Sequence, residues 1–153
     1  MYSVIQTYVG REHLRQLDEL HRQVLGTVRR AVEALLPGVV HVGTCDLALD
    51  GRKFSGNAVR CKREHFLYHG TLLYNFDLVA VERFLKTPPR QPDYRQGRSH
   101  TEFVINLPLD AAILRESLVT AFAADHPLNH WPQLRTKNLV NHRYGQDAWT
   151  YDR

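Results

Sequence analysis

Several side chains that can carry polar chemistry lie together in one stretch of the chain, Asp46–Leu73. Lys53 follows a tight-turn signal, and a lysine ammonium is a compact positive charge that can stabilise a developing negative charge. His69 lies in an otherwise apolar run, where a structural role is the commoner one for histidine. Gly56 and Gly70 each interrupt a strand-like run, which suggests that a ligand or another backbone comes close there. From the residues alone, a plain surface lysine beside a turn is the simpler interpretation of Lys53.

Three short antiparallel strands are expected to position these residues. Asp50-Gly51 is a strong signal for a two-residue hairpin, and the charged Lys62–Glu64 is typical of a solvated turn. The strand between the two turns carries Lys53 and Gly56, and the strand after the second turn carries His69.

The rest of the chain predicts helices and strands around this meander. A strand opens the chain at Tyr2–Val9, and Glu12–Leu36 is the strongest helix because its apolar residues recur at steps of three, four or seven. Prolines mark Thr87–Gly97 as the main loop. The remaining predictions are a strand at Val39–Val42, helices at Asp77–Leu85, Asp110–Ala124 and Pro132–His142, and an edge strand or an extended segment at Ser99–Leu107. Because strands and helices show no regular βαβ alternation, we predict an α+β fold, with residues 1–153 as a single domain.

Composition excludes several classes of protein. Hydrophobic residues make up 43% of the 153 residues and charged residues 24%, as in ordinary globular proteins. The net charge of +4 comes without a basic run of the nucleic-acid-binding type. No apolar stretch reaches the roughly 18 residues of a membrane span, and no signal peptide is apparent. Cys45 and Cys61 predict neither a disulfide scaffold nor a zinc site, and the histidines form no metal-binding motif. We therefore expect a cytoplasmic protein with no metal site of its own.

The stretch around Lys53 resembles the central motif of a known enzyme family. GRKFSGNA followed by YHGTLL is similar to D-L-x-x-x-G-x-K-x-S-G-x-A, then H-H-G-x-L-L, of the lipoate–protein ligases and octanoyltransferases, the biotin/lipoate A/B ligase family. Lysine, Ser-Gly and His-Gly all fall at the expected spacing. Arg143-Tyr144 and Trp149 also resemble the family's R-Y-x-x-x-x-W ending. The resemblance implies a mixed, mainly antiparallel sheet flanked by helices, the fold shared with biotin ligases and class II synthetases.

The resemblance also implies a role for each residue of the motif. Lys53 would face the acyl carbonyl and, in the ligases, the acyl phosphate. The residues that would bind the acyl substrate are Ser55, Gly56, Asn57, His69 and Gly70. Among them, the Ser-Gly-Asn run would add backbone donors, His69 would position the substrate and Gly70 would make room for it. The implied activity is attachment of a lipoyl or octanoyl group to a lysine of a lipoyl domain.

Two routes for the acyl group stay open, and they separate at Cys45. A ligase uses lipoate or octanoate with ATP and Mg²⁺, and Asp46 matches the aspartate that helps to hold the adenylate and Mg²⁺ in the family. The asparagine that precedes this aspartate in the ligases is Cys45 here. An octanoyltransferase instead takes octanoate from an acyl carrier protein through a cysteine thioester and needs no ATP. One octanoyltransferase subtype has its catalytic cysteine at the position of Phe66, so that subtype is disfavoured. For Cys45 two roles stay open, a nucleophile or a structural thiol.

A Gly-rich motif that precedes the first strand in this family, R-R-x-x-G-G-G-x-V-x-H, does not occur in the sequence. In the family that segment forms part of the acyl and nucleotide pocket. The resemblance therefore covers the C-terminal part of the catalytic domain, and we expect an enzyme that needs a separate N-terminal chain or self-association. The alternative is a non-catalytic accessory or binding subunit, or a degenerate fragment, of the same family.

Overall fold

Five antiparallel strands form the central sheet of the computed structural model, which describes residues 1–152. Their order across the sheet is β1-β5-β4-β3-β2. The strands are β1 (Tyr2–Thr7), β2 (Val40–Val42), β3 (Asp46–Leu49), β4 (Arg52–Cys61) and β5 (His65–Leu72). Asp50 and Gly51 join β3 to β4 and both have the positive φ that a two-residue hairpin of this kind requires. The predicted three-stranded meander is therefore confirmed.

The helices lie between and after these strands. They are α1 (Leu17–Glu33), α2 (Leu78–Phe84), α3 (His100–Phe103), α4 (Ala111–Ala121), α5 (Gln133–Leu139) and α6 (Asp147–Tyr151). Asp77 and Asp110 cap α2 and α4, since each side chain accepts a hydrogen bond from a backbone N–H in the first turn. The predicted helix Glu12–Leu36 is split, because Gln16 has an extended backbone (ψ 120°) between a short 3₁₀ turn and α1.

The prediction of an edge strand at Ser99–Leu107 was wrong for its first half. Ser99 and Glu102 form a capping box, in which each side chain accepts a hydrogen bond from the other residue's backbone N–H, and this box starts α3. The chain becomes extended only after Phe103, where Val104 makes an isolated parallel bridge to Lys53. The S-x-x-E signal was present in the sequence and outweighs the apolar alternation that favoured a strand.

One face of the sheet, called here the closed face, is covered by α1 and α4. From α1, the buried side chains include Leu20, Val24, Val28 and Val32, which are at most 2% exposed. From the sheet, they meet Phe54, Phe66 and Tyr68, and α4 adds Leu114. Burying each side chain of this size stabilises the fold by ~1.5–3 kcal/mol. Most of the hydrophobic stabilisation of the sheet therefore comes from its closed face.

The opposite face, called here the open face, has little cover from the rest of the described chain over β1, β5 and most of β4. Strand register places Ser3, Ile5, Gly56, Ala58, Arg60, Leu67, His69 and Thr71 on it. None of these residues is buried, and Ile5 is 70% exposed. An apolar side chain left this exposed in a central sheet indicates a surface that another element can cover.

The C-terminal segment after α4 extends into solvent. From residue 123 to residue 152 every residue except Trp149 is exposed. Arg143 stacks over the rings of Tyr144 and Trp149, at 5.4 and 4.5 Å from their centroids. The three residues of the R-Y-x-x-x-x-W resemblance therefore form one contact cluster. No helix in residues 1–152 is long and apolar enough to cross a membrane.

Candidate active site

A β-bulge places Lys53 on the open face. Leu47 pairs with Ser55, but the next residue, Ala48, pairs with Lys53, so Phe54 is an extra residue in β4. Ser55 belongs to the closed face, and in a regular strand Lys53, two residues earlier, would share that face. The bulge reverses this orientation while Phe54 enters the core. The motif lysine thus reaches the open face because its neighbour is buried.

Lys53 and Asp46 form an ion pair at this end of the open face. Lys53 Nζ lies 2.7 Å from Asp46 Oδ1, with the two side chains 28% and 13% exposed. The other carboxylate oxygen, Asp46 Oδ2, accepts a hydrogen bond of 2.7 Å from the Tyr94 hydroxyl. Both oxygens of Asp46 therefore have partners, and the carboxylate fixes the direction of the Lys53 ammonium. The structure brings together the predicted Asp46 and Lys53.

Tyr94 is a site residue that the sequence did not reveal. It comes from residues 92–99, called here the strap, which lie within and just beyond the predicted Pro-rich loop. Arg98 holds the strap by donating to the Gly51 carbonyl at 3.0 Å and to the Tyr94 carbonyl at 2.7 Å. Burial, followed by the hydrogen bond to Asp46, raises the pKa of Tyr94, so its hydroxyl stays a donor.

The arginines and the histidine of this loop have structural roles in the structure. Arg95 is buried, stacks over Phe103 at 4.9 Å and donates from Nε to the Arg98 carbonyl at 2.9 Å. His100 is also buried, with Nε2 3.4 Å from the Lys86 carbonyl oxygen. Both side chains are therefore held inside the fold rather than exposed to solvent.

Small side chains lie beside the ion pair on the open face. A Cβ added to Gly56 would lie 3.5 Å from Lys53 Cε and 3.7 Å from Lys53 Nζ, so Gly56 borders the ammonium. Gly56 pairs with Thr71, and Ala58 pairs with His69 one step further along. His69 is exposed and lies on the same face as Lys53, separated from it by the Gly56–Thr71 pair. An extended apolar chain could lie across this shallow surface with its polar end at Lys53.

Ser55 and Asn57 point away from this surface. Ser55 is 1% exposed, and its Oγ accepts a hydrogen bond of 3.0 Å from Asn57 Nδ2. Asn57 Nδ2 also donates to the Cys45 carbonyl at 2.8 Å, and Asn57 Oδ1 accepts from the Tyr2 hydroxyl. Gly70 leaves room for these groups, because a Cβ there would collide with Asn57 and Tyr2. The structure therefore does not place the side chains of Ser55 and Asn57 beside Lys53.

Cys45 is half-buried, and its thiol has a hydrogen-bond partner. Sγ donates to the Asn57 carbonyl at 3.3 Å. Burial and the neighbouring Asp46 raise the pKa of the Cys45 thiol, and Lys53 opposes this only in part. Reactive cysteines usually have a lowered pKa, so this environment favours a protonated thiol. Both Cys45 and Cys61 are free thiols.

Asp46 is the residue that could accompany a nucleotide-bound Mg²⁺. Within residues 1–152 no group of three His, Cys, Asp or Glu side chains is arranged to hold a metal ion. Mg²⁺ that travels with nucleotide phosphates commonly needs only one or two protein carboxylates and keeps several waters. The single carboxylate of Asp46 fits that requirement, provided that Lys53 turns towards the phosphates.

Comparison with known proteins identifies the family. A family model described as the lipoyl protein ligase A/B catalytic domain matches residues 1–123, and the chain belongs to this family. Lipoate-protein ligase A of Bdellovibrio bacteriovorus is 39% identical over 56 residues, which are 37% of this chain and 16% of that protein. A relative from Plasmodium falciparum, named inactive lipoate–protein ligase 2, is 31% identical over 58 residues, 38% of this chain and 15% of that protein. The predicted resemblance is confirmed, and the aligned stretches span under a fifth of each relative.

Solved structures confirm the fold. A lipoate-protein ligase A bound with ATP superposes with a TM-score of 0.72 at 16% identity, over 96% of this chain and 62% of that chain. The bipartite lipoate protein ligase of Thermoplasma acidophilum, solved as part of a lipoylation system with its E2 lipoyl domain, gives 0.75 at 16% identity, over 96% and 61%. The α+β, class II synthetase-like fold is therefore confirmed, and the chain spans less than two-thirds of these neighbours.

Proposed function

We propose that this chain supplies the charge-stabilising part of an ATP-dependent site that attaches lipoate or octanoate to a lysine of a lipoyl domain. The observation that carries the proposal is the bulge at Phe54, which turns Lys53 onto the open face beside Gly56. An acyl chain lying on Gly56 and Ala58 would end with its carbonyl at Lys53. His69 would contact the chain further along the same surface.

The reaction has two steps. In the first, a carboxylate oxygen of the acid attacks the α-phosphorus of ATP, an O–P bond forms, and pyrophosphate leaves. In the second, the lysine amine of the lipoyl domain attacks the acyl carbonyl, the amide bond forms, AMP leaves, and one proton passes to solvent. Negative charge builds on the carbonyl oxygen in the second step, and the Lys53 ammonium would stabilise it. Asp46 would hold that ammonium in place and, with the nucleotide phosphates, would hold Mg²⁺.

We favour the ligase route over a thioester route because of Cys45. Its thiol donates to the Asn57 carbonyl, and burial raises its pKa. A nucleophilic thiol needs the opposite, namely stabilisation of the thiolate.

We further propose that another segment or chain covers the open face in the working protein. β1 pairs only with β5 in the described part of the chain, so its outer edge is available for pairing. Ile5 and His69 are exposed on the adjoining surface. In this family a Gly-rich N-terminal segment completes the acyl and nucleotide pocket, and it is the occupant that we propose. One structural neighbour, from Thermoplasma acidophilum, is itself described as a bipartite lipoate protein ligase.

Intact mass spectrometry of an acceptor lipoyl domain tests the ligase proposal. The chain is incubated with ATP, Mg²⁺ and lipoate, alone and with the Gly-rich N-terminal segment of a family member added as a separate polypeptide. We expect one lipoyl group per lipoyl domain, dependent on ATP and faster with the added segment. Lys53→Ala should slow transfer by about 10²–10³-fold, the usual cost of removing a charge-stabilising donor. Lys62→Ala, which removes an exposed lysine in the turn before β5, is the matched control.

Two outcomes would contradict the ligase proposal in different ways. An octanoyl adduct formed from octanoyl-acyl carrier protein, and lost in Cys45→Ala, would establish the thioester route. No transfer with any acyl donor, with or without the added segment, would favour the non-catalytic alternative. The Plasmodium falciparum relative that carries the word inactive in its name is the observation that keeps this alternative in view.

A further inference from the structure

A row of hydrogen-bonded side chains crosses the closed face from the edge strand β1 to Cys45, the residue before Asp46. On β1, the Tyr2 hydroxyl donates to Asn57 Oδ1 on β4 at 2.5 Å. The bond passes over Gly70 of β5, which pairs with Tyr2 on one side and with Asn57 on the other. Asn57 Nδ2 continues the row by donating to the Cys45 carbonyl at 2.8 Å. The next residue along the chain is Asp46, the partner of Lys53.

The hydrogen bonds of this row connect β3 and β4 beyond the point where their regular backbone pairing ends. The β3–β4 ladder stops at the pair Leu47–Ser55, so the backbone at Cys45 lies beyond it. There, Asn57 and Cys45 exchange side-chain hydrogen bonds to each other's carbonyl oxygens, at 2.8 and 3.3 Å. These bonds hold the backbone directly before Asp46. Asp46 pairs with Val42 of β2 on the other side of β3, so these bonds supply the support from the β4 side, and we expect their loss to shift the Asp46 carboxylate.

The amide of Asn57 makes three hydrogen bonds in this arrangement. Nδ2 makes two donor bonds, to the Cys45 carbonyl and to Ser55 Oγ, and Oδ1 accepts from Tyr2. Burial raises the pKa of Tyr2, so its hydroxyl remains protonated and remains a donor. A polar side chain with all these partners has one defined orientation, which suits a supporting role better than contact with a changing ligand.

We infer that Tyr2 and Asn57 are positioning residues for the Asp46–Lys53 pair, acting from the face of the sheet opposite to the substrate. This assignment rests on the proposed function only for the statement that the pair serves acyl transfer. The geometric part, that the row holds Asp46 against Lys53, stands independently. It also gives Asn57 a different role from the substrate contact that the family resemblance implies.

Chemical acetylation of Lys53, followed by peptide mass spectrometry, tests the geometric part without any need for activity. An ammonium held by a carboxylate reacts slowly with amine reagents. Asp46→Asn removes that carboxylate and so gives the largest acceleration of Lys53 acetylation to expect, up to about fivefold over wild type for a partly exposed ion pair. We expect Asn57→Ala and Tyr2→Phe to accelerate the reaction at least twofold. Lys62 in the same digests provides the internal reference.

The matched control is Tyr8→Phe. It also removes a buried tyrosine hydroxyl, one whose charged and polar neighbours are Arg15 and Cys61 rather than Cys45 and Asp46. We expect wild-type acetylation of Lys53 in this variant. Equal rates in wild type, Tyr2→Phe and Asn57→Ala would overturn the inference. If Asn57→Ala fails to fold, Tyr2→Phe alone decides it.

Transfer kinetics separate this inference from the proposed function. In an active preparation, Asn57→Ala should lower kcat by about ten- to a hundredfold with KM for lipoate unchanged, because the reacting carbonyl is bound but Lys53 is misplaced. An unchanged kcat in this variant would overturn the positioning role. Faster acetylation in a chain without transfer activity would support the positioning role and contradict the proposed function instead.

Discussion

Gly56 and Gly70 lie on neighbouring strands, yet their missing side chains serve different needs. At Gly70, on the closed face, a Cβ would collide with Asn57 and Tyr2, so the protein itself requires the glycine. At Gly56, on the open face, a Cβ would meet only ordinary contacts, the nearest 3.5 Å from Lys53 Cε. The fold would accept a side chain at Gly56. The two faces thus differ in what constrains them, since packing constrains the closed face and, in our account, a ligand constrains the open one.

The largest effect on stability should come from truncating the centre of the closed face. Phe66 is 1% exposed and packs in the main core with Tyr8 and Tyr68. Phe66→Ala should lower the free energy of unfolding by ~3–5 kcal/mol, measured by urea denaturation. Ile5→Ala, on the open face, should change it by less than about 0.5 kcal/mol. Equal losses would show that the open face is covered by the chain itself.

A methyl group at Gly70 should lower stability and, because it displaces Asn57 and Tyr2, transfer activity as well. Gly70→Ala forces Asn57 and Tyr2 to move, and overpacking of this kind costs ~1–3 kcal/mol. The Gly70→Ala, Tyr2→Phe double variant tests the cause, because it releases the hydroxyl from its bond across the glycine. We expect the double variant to lose less than the sum of the two single losses in urea denaturation. If the two losses of stability simply add in the double variant, the methyl group at residue 70 does not collide with the Tyr2–Asn57 pair.

Alkaline pH should weaken the fold. The pKa of Cys45 and that of Tyr94 are both raised in the folded protein, chiefly by burial. The unfolded chain therefore releases these protons first as pH rises, from about pH 8.5 for a thiol and about pH 10 for a phenol. The stability linked to these groups is complete below that range and is lost as pH rises through it. Urea midpoints between pH 7 and 11 should fall, and the fall should be smaller in Cys45→Ala and Tyr94→Phe.

The smallest effect is expected from the helix that follows the strap. Ser99→Ala removes one half of the capping box of α3 and should cost ~1 kcal/mol. Because the strap carries Tyr94 onto Asp46, transfer activity should fall modestly as well. Ser117→Ala removes a hydroxyl that bonds the Ala31 carbonyl between α4 and α1, and it should lower stability without affecting activity.

Much of the fold was predictable because its signals are local. The Asp50-Gly51 hairpin follows from a turn that only a few residue pairs can adopt. The caps at Asp77 and Asp110 follow from a side chain that satisfies the nearest N–H groups. The motif around Lys53 was predictable for another reason, since its spacing resembles a family that the comparison confirms.

The site's geometry was not predictable, because it depends on contacts between distant residues. The bulge arises where Phe54 enters a core built largely by α1, and no local pattern in β4 signals it. Tyr94 is 48 positions from Asp46, and nothing in the strap's own sequence indicates that partner. Strand alternation alone would have placed Lys53 with Ser55. Only the paired register shows that the two side chains lie on opposite faces.

The exposure of Phe84 and Leu85 is a further case of this kind. Phe84 ends α2 and Leu85 follows it, and although both are apolar they are 72% and 58% exposed. Helical spacing shows which residues share a side of a helix, but not which side meets the core. That choice depends on where the strap and α3 pack.

Gly56→Ala tests the account's central claim, that the open face holds the acyl chain, most directly. The variant should keep the wild-type urea midpoint, because the added methyl group makes only ordinary contacts in the protein. In the lipoyl-domain transfer assay, its KM for lipoate should rise about tenfold or more, because the methyl group occupies the surface on which the acyl chain lies. Wild-type kinetics together with wild-type stability would show that the acyl group does not lie on this surface, and would contradict the account.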